Sequence, residues 1–288
     1  MQLNRRIPVL ALLGGLIGAG LRAVQLLTAF ERSTGLYISE NPCGKLLLGW
    51  LLLFAAILAV AARAGQHDAS FEELYAGSGD FYKTILAFSG LLLAAGGIGW
   101  LAVEMHALMP LTKDTEPWII ALELPFGALC VAAGLCMVGL GAVLSRGELE
   151  KKHAYMVLPP LFWAAFHLLV AYRQYCVSAN LALFTPEIFA AIACVLAFYY
   201  FARMLYGKPA PRLFVFWAAN AIMLTLTDTL GYAFNRMMGG TAVQWTTGSV
   251  IRACCLICGC VFLLVELGLM TSRVFPARPR GNPVPESE

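Results

Sequence analysis

Seven ionisable residues stand where ionisable residues are costly. Arg22, Glu104, Glu123, His167, Glu187, Asp228 and Arg252 all fall inside, or at the end of, long apolar stretches. A charge within a membrane-spanning segment is rare and faces a partner or a polar cavity, so each marks a binding or conduction site until shown otherwise. Arginine and carboxylate together can form ion pairs, hold a charged solute or relay protons. His167, with an ordinary pKa of about 6.5, could serve as a proton acceptor. The four acids outnumber the two arginines, so a cationic solute or protons fit best. The alternative is that Arg22 and Arg252 pair with Asp228, Glu123 or Glu187 simply to hold helices together.

The elements that carry these groups follow from composition. Hydrophobic residues make up 60% of the 288 and charged residues only 13%. A soluble chain is nearer a quarter charged. The apolar residues fall in blocks of about twenty, the length that crosses ~30 Å of hydrocarbon. Backbone exposed to lipid must satisfy its own hydrogen bonds, so the blocks are helices, and the ten-residue alternation of a β-barrel is absent. The expected fold is all-α, a polytopic bundle of about eight spans over 7–30, 46–64, 81–103, 118–145, 155–172, 186–206, 213–235 and 249–272. Residues 1–273 form one transmembrane domain, and 274–288, rich in proline, form a disordered cytoplasmic tail. The first span begins like a signal peptide after Arg5 and Arg6, but apolar character resumes beyond Arg22, which favours an uncleaved helix.

Lys and Arg concentrate on one set of connections, including Arg146, Lys151, Lys152, Arg203, Lys208, Arg212, Arg278 and Arg280. That places both termini inside. The seven ionisable residues then all lie toward the outer leaflet. Small residues at helical spacing lead to them: Gly14 and Gly18 toward Arg22, Gly90 and Gly97 toward Glu104, and Gly127, Gly134 and Gly141 along the face of Glu123. Small residues let membrane helices approach closely, so the stripes should face one another and gather the charges into an outward-opening polar cluster.

Other chemistries find no complete set of residues. Paired axial histidines for a haem are lacking, since only His167 of four histidines lies in a span. The run Cys254-Cys255-Leu256-Ile257-Cys258-Gly259-Cys260 has a Cys-x-x-Cys spacing, but sits mid-span, where thiolates form with difficulty. Glu72-Glu73 lacks the arginine four positions on that the intramembrane prenyl proteases carry; Gly77 stands there. No catalytic residues, metal ligands or cofactor are expected, and the scattered basic residues do not suggest nucleic acid. Cys43 and Cys176 fall on the same predicted outer side and could pair if close.

The segment 21–44 carries a Thr-x-Phe-Glu…Thr-Gly-Leu…Pro pattern, and 158–208 carries Phe-Trp, Pro-Glu and Leu-Ala-Phe-Tyr runs. In these the chain resembles a bacterial family of multi-pass membrane proteins with no assigned function. The resemblance implies a bacterial cell (plasma) membrane location and no particular activity. It also implies that the loop from Phe30 to Pro42 is more than a spacer, with Thr34, Gly35 and Leu36 in a turn and Glu31 beside the polar cluster. Two functions follow. The first is a structural or accessory subunit without catalysis, held in the lipid bilayer with other membrane subunits. The second is a transporter or solute-binding protein with an acidic outward vestibule for a small polar solute.

Overall fold

A computed structural model describes residues 6–31, 36–38, 41–64, 79–108, 119–146, 153–176, 181–208, 210–240 and 246–273. Eight helices among them are long and apolar enough to cross a membrane. They are α1 (Ile7–Thr28), α2 (Pro42–Arg63), α3 (Gly79–Leu108), α4 (Leu124–Arg146), α5 (Leu158–Cys176), α6 (Leu181–Leu205), α7 (Pro211–Met237) and α8 (Thr247–Arg273). The fold is all-α, as the apolar blocks dictate. The tail after 273 and the turn residues Thr34 and Gly35 lie outside the described residues.

Local sequence sets several helix ends. Asn41 caps α2 by accepting from the Cys43 N–H at 2.9 Å, with Pro42 in the first turn, where its missing N–H costs nothing. Pro125 cannot donate to the carbonyl four residues back. The chain therefore enters α4 through a wider π turn over Ile119–Glu123. Pro186 lies inside α6, not at its start; the helix begins a turn earlier, at Leu181. A 3-10 turn, His153–Val157, leads into α5.

Helices α3 to α8 close a ring in chain order, each packing on the next and α8 returning to α3. α1 and α2 lie outside this ring on α7. The small-residue stripes make the tightest joints. A Cβ added at Gly97 would lie 2.8 Å from the Gly127 carbonyl, and one at Gly134 would meet the Gly90 carbonyl and the Ala94 backbone. The α3 and α4 backbones thus touch through glycines on both sides. Between α1 and α7, Gly15 meets Met223 and Leu226, Gly18 meets Thr227, and Gly231 lies under the Arg22 side chain.

The surface inverts that of a soluble protein. Leu52, Val60, Phe88 and Ile98 are more than half exposed, whereas Arg22, Arg252 and Asp228 are buried. Water would reward the reverse; a hydrocarbon surrounding rewards this arrangement. The chain is a multi-pass membrane protein. Inside the ring, Trp100, Phe126, Trp163, Phe198 and Phe262 form the apolar filling, with Trp100–Phe126 and Trp163–Phe198 edge-to-face.

Candidate functional site: a buried polar network at one end of the bundle

Helices alternate in direction, so the last turns of α1, α3, α5 and α7 share an end with the first turns of α2, α4, α6 and α8. That end holds nearly all of the buried charge. Arg22 in α1 faces Asp228 in α7, with Nη2 to Oδ1 at 3.7 Å. Arg252 in α8 faces Glu187 in α6, with Nη2 to Oε1 at 3.5 Å. Arg173 in α5 faces Glu123 at 3.6 Å. Glu104, at the end of α3, interacts directly with Glu123. His167 lies deeper in α5, within electrostatic reach of Arg252.

Two tyrosines join these pairs. The Tyr175 hydroxyl donates to Glu187 at 2.6 Å and accepts from Arg252 Nη2 at 2.7 Å. The Arg252 guanidinium also lies over the Tyr175 ring, 5.5 Å from its centroid. Arg22 has the same kind of company. Its Nη1 donates to Gln25 at 2.6 Å, its Nη2 to Tyr232 at 3.3 Å, and its guanidinium lies 5.3 Å from the Tyr232 centroid. Arg22 Nη2 and the Tyr232 hydroxyl both donate to the Leu183 carbonyl. That carbonyl lies in the first turn of α6, three residues before Pro186. The two halves meet on α6: its Leu183 carbonyl holds Arg22 and Tyr232, and Glu187, one turn on, faces Arg252.

The network is buried but incompletely satisfied. Arg22 Nε, Arg252 Nε and Nη1, Asp228 Oδ1, the Asn235 amide nitrogen and both His167 ring nitrogens have no hydrogen-bond partner among the described residues. Such atoms are uncommon in buried sites, where over nine-tenths of polar groups are paired. His167 is held by ring contacts instead, edge-on to Phe126 at 5.7 Å and to Trp163 at 6.1 Å.

Of the residues singled out by sequence, the structure brings Arg22, Asp228, Glu187 and Arg252 into one network. Glu123 and Glu104 form a neighbouring group with Arg173, and His167 lies below. Arg173, Tyr175 and Tyr232 also take part, and none of them stands out by sequence. The tyrosines carry a signal only in their spacing: Tyr175 is eight residues from His167 on the same helix face, and Tyr232 is four from Asp228. Glu266, set apart at the opposite end, is fully buried and accepts from the Tyr82 hydroxyl at 2.5 Å.

Cys43 and Cys176 are both free, which corrects the pairing their shared side suggested. Cys43 sits at the start of α2 against the Thr28 hydroxyl of α1 (3.4 Å), while Cys176 ends α5, between α4 and α6, and bonds its own helix at Arg173. The α8 cysteines are free thiols too; Cys255 packs on Gly96 and Cys260 contacts the Thr225 hydroxyl at 3.1 Å. The loop after α1 closes through a Phe30–Tyr37 bridge, with the Glu31 N–H bonded to the Leu36 carbonyl at 2.9 Å and Glu31 itself exposed.

Trp100 fixes the acidic group in place. Its indole N–H donates to the Glu123 carbonyl at 3.0 Å, across from α3 to the π turn. Trp100→Phe keeps an aromatic ring but removes this donor and leaves part of the buried indole's volume empty. It is expected to cost about 1–3 kcal/mol, seen as a fall in the apparent Tm of the detergent-purified protein.

No family model, curated protein or solved structure matches the chain.

Proposed function

We propose that this protein binds a small polar solute in the network around Arg22, Glu187, Asp228 and Arg252, as a membrane transporter or solute receptor does. The spacing of the ion pairs carries this reading. They stand at 3.5–3.7 Å, whereas a charge-assisted hydrogen bond is typically 2.7–2.9 Å. A pair kept only for structure offsets its desolvation best by closing to contact and satisfying its remaining atoms. These pairs are separated, and buried polar atoms beside them have no hydrogen-bond partner among the described residues. In the orientation that the Lys and Arg distribution predicts, this end faces outward.

A second reading is an accessory subunit in which the network only fastens helices. It is favoured by one observation: each of the three arginines already faces an acid. Thermal unfolding of the purified protein against a broad panel of cations, amines, carboxylates, amino acids and sugars separates the two. A ligand that binds the native state stabilises it. A saturable rise in apparent Tm, lost in Glu187→Gln, supports the solute site. No rise from any member of the panel supports the accessory role.

A further inference from the structure

The atoms left unpartnered in the network are of two opposite kinds, and they lie on neighbouring helices. Arg252 spends Nη2 on Glu187 and Tyr175, leaving the N–H groups of Nε and Nη1 without partners among the described residues. These are cationic donors, and the side chain that bears them is 1% exposed. Asp228 has the opposite surplus. Its Oδ1 faces Arg22 at 3.7 Å, too far to accept a hydrogen bond, and has no donor among the described residues. Asp228 is 3% exposed, and α7, which carries it, packs on the α8 that carries Arg252. A spare cationic donor and a spare anionic acceptor thus stand in one buried network.

The charge balance narrows the occupant. Arg22 and Asp228 offset each other, as do Arg252 and Glu187. An added anion would meet Glu187 and Asp228, and an added cation would meet Arg22 and Arg252. Either one brings a net charge into a buried place, which is costly. A solute carrying both charges on adjacent carbons brings none. Its carboxylate can take the Arg252 donors, which suit planar carboxylate recognition, and its ammonium can donate to Asp228 Oδ1. Both unmet requirements are satisfied together.

We propose, resting on the solute-binding reading above, that the network recognises a small zwitterion of the α-amino acid class, with Arg252 holding its carboxylate and Asp228 its ammonium. This replaces the cationic solute that the excess of acids suggested, because Glu104 and Glu123 stand apart with Arg173, and the network that remains has two arginines against two acids.

The test uses the full chain in detergent and three matched sets of probes. These are glycine and L-alanine; acetate and propionate, which lack the ammonium; and methylamine and ethylamine, which lack the carboxylate. The expected result is a rise of about 5 °C in apparent Tm at a hundredfold excess of an amino acid over its Kd. Neither the acids nor the amines should reproduce it. Asp228→Asn, close in shape, should weaken amino-acid binding tenfold or more, and Arg252→Lys should do likewise. Because both variants alter buried ion pairs, the wild-type comparison alone decides. An equal rise with ethylamine or propionate overturns the zwitterion and leaves a singly charged solute site. A rise only with other members of the broad panel, or with sugars, also overturns it and keeps the solute-binding reading. No rise with any probe overturns both.

Discussion

Arg22→Met is expected to cost about 3–5 kcal/mol, the usual penalty for removing one partner of a buried ion pair. Apparent Tm should fall by about 10 °C or more. The substitution keeps the long stem that covers Gly231 but removes every polar contact. Asp228 loses the cation facing it, Gln25 and the Leu183 carbonyl lose a donor, and Tyr232 loses the guanidinium over its ring. Most of the cost comes from the charge left behind on Asp228. Adding Asp228→Asn should therefore restore more than half of the loss, which a double-mutant cycle measures directly. If Arg22→Met melts within about 1 kcal/mol of the wild type, Arg22 is not the buried counter-charge described here.

The second large effect belongs to a residue with no side chain. Gly134→Leu is expected to abolish the folded state, and Gly134→Ala to cost about 1–3 kcal/mol through overpacking. Even a methyl group there would meet the Gly90 carbonyl, and would lie 2.7 Å from the Ala94 nitrogen. Backbone cannot step aside as a flexible side chain can. A built-in control exists. Gly20 and Gly49 are also helical, but nothing lies within 4 Å of an added Cβ at either. Alanine there should be harmless, or stabilise by up to about 1 kcal/mol through helix propensity. Apparent Tm of the three alanine variants in one detergent makes the comparison. Equal losses at all three would mean that α3 and α4 do not touch through Gly134.

Hydropathy made the helices legible because lipid leaves the backbone no other choice. Their ends were read less well, for reasons visible at particular residues. Pro186 looks like a helix start, since proline suits a first turn, yet α6 begins at Leu181. The apolar signal of α2 begins only at Leu46, because Cys43, Gly44 and Lys45 dilute it, whereas the Asn41 cap starts the helix at Pro42. The 3-10 and π turns before α5 and α4 are invisible to a period of 3.6 residues. For the site, helical spacing indicated which faces carry charge, and the glycine stripes indicated which faces could meet. Partner choice was beyond the sequence. Nothing in one chain's spacing says that Arg22 takes Asp228 while Arg252 takes Glu187. The tyrosine bridges and the contacts to the Leu183 carbonyl depend on α6 lying beside α1 and α7, a tertiary fact with no local signature.

The distance along the chain between Arg22 and its partners has a consequence for how the protein is made. Leu183 lies 161 residues after Arg22 and Tyr232 lies 210 after it. Ribosomes deliver segments in order, so α1 enters the bilayer long before α7 exists. Until then its arginine carries a cost, at most the ~2.5–3.5 kcal/mol of a helix centre on insertion scales, with no carboxylate to offset it. Nascent chains halted before α7 should hold α1 poorly, and quality-control proteases should remove them faster than chains halted after it.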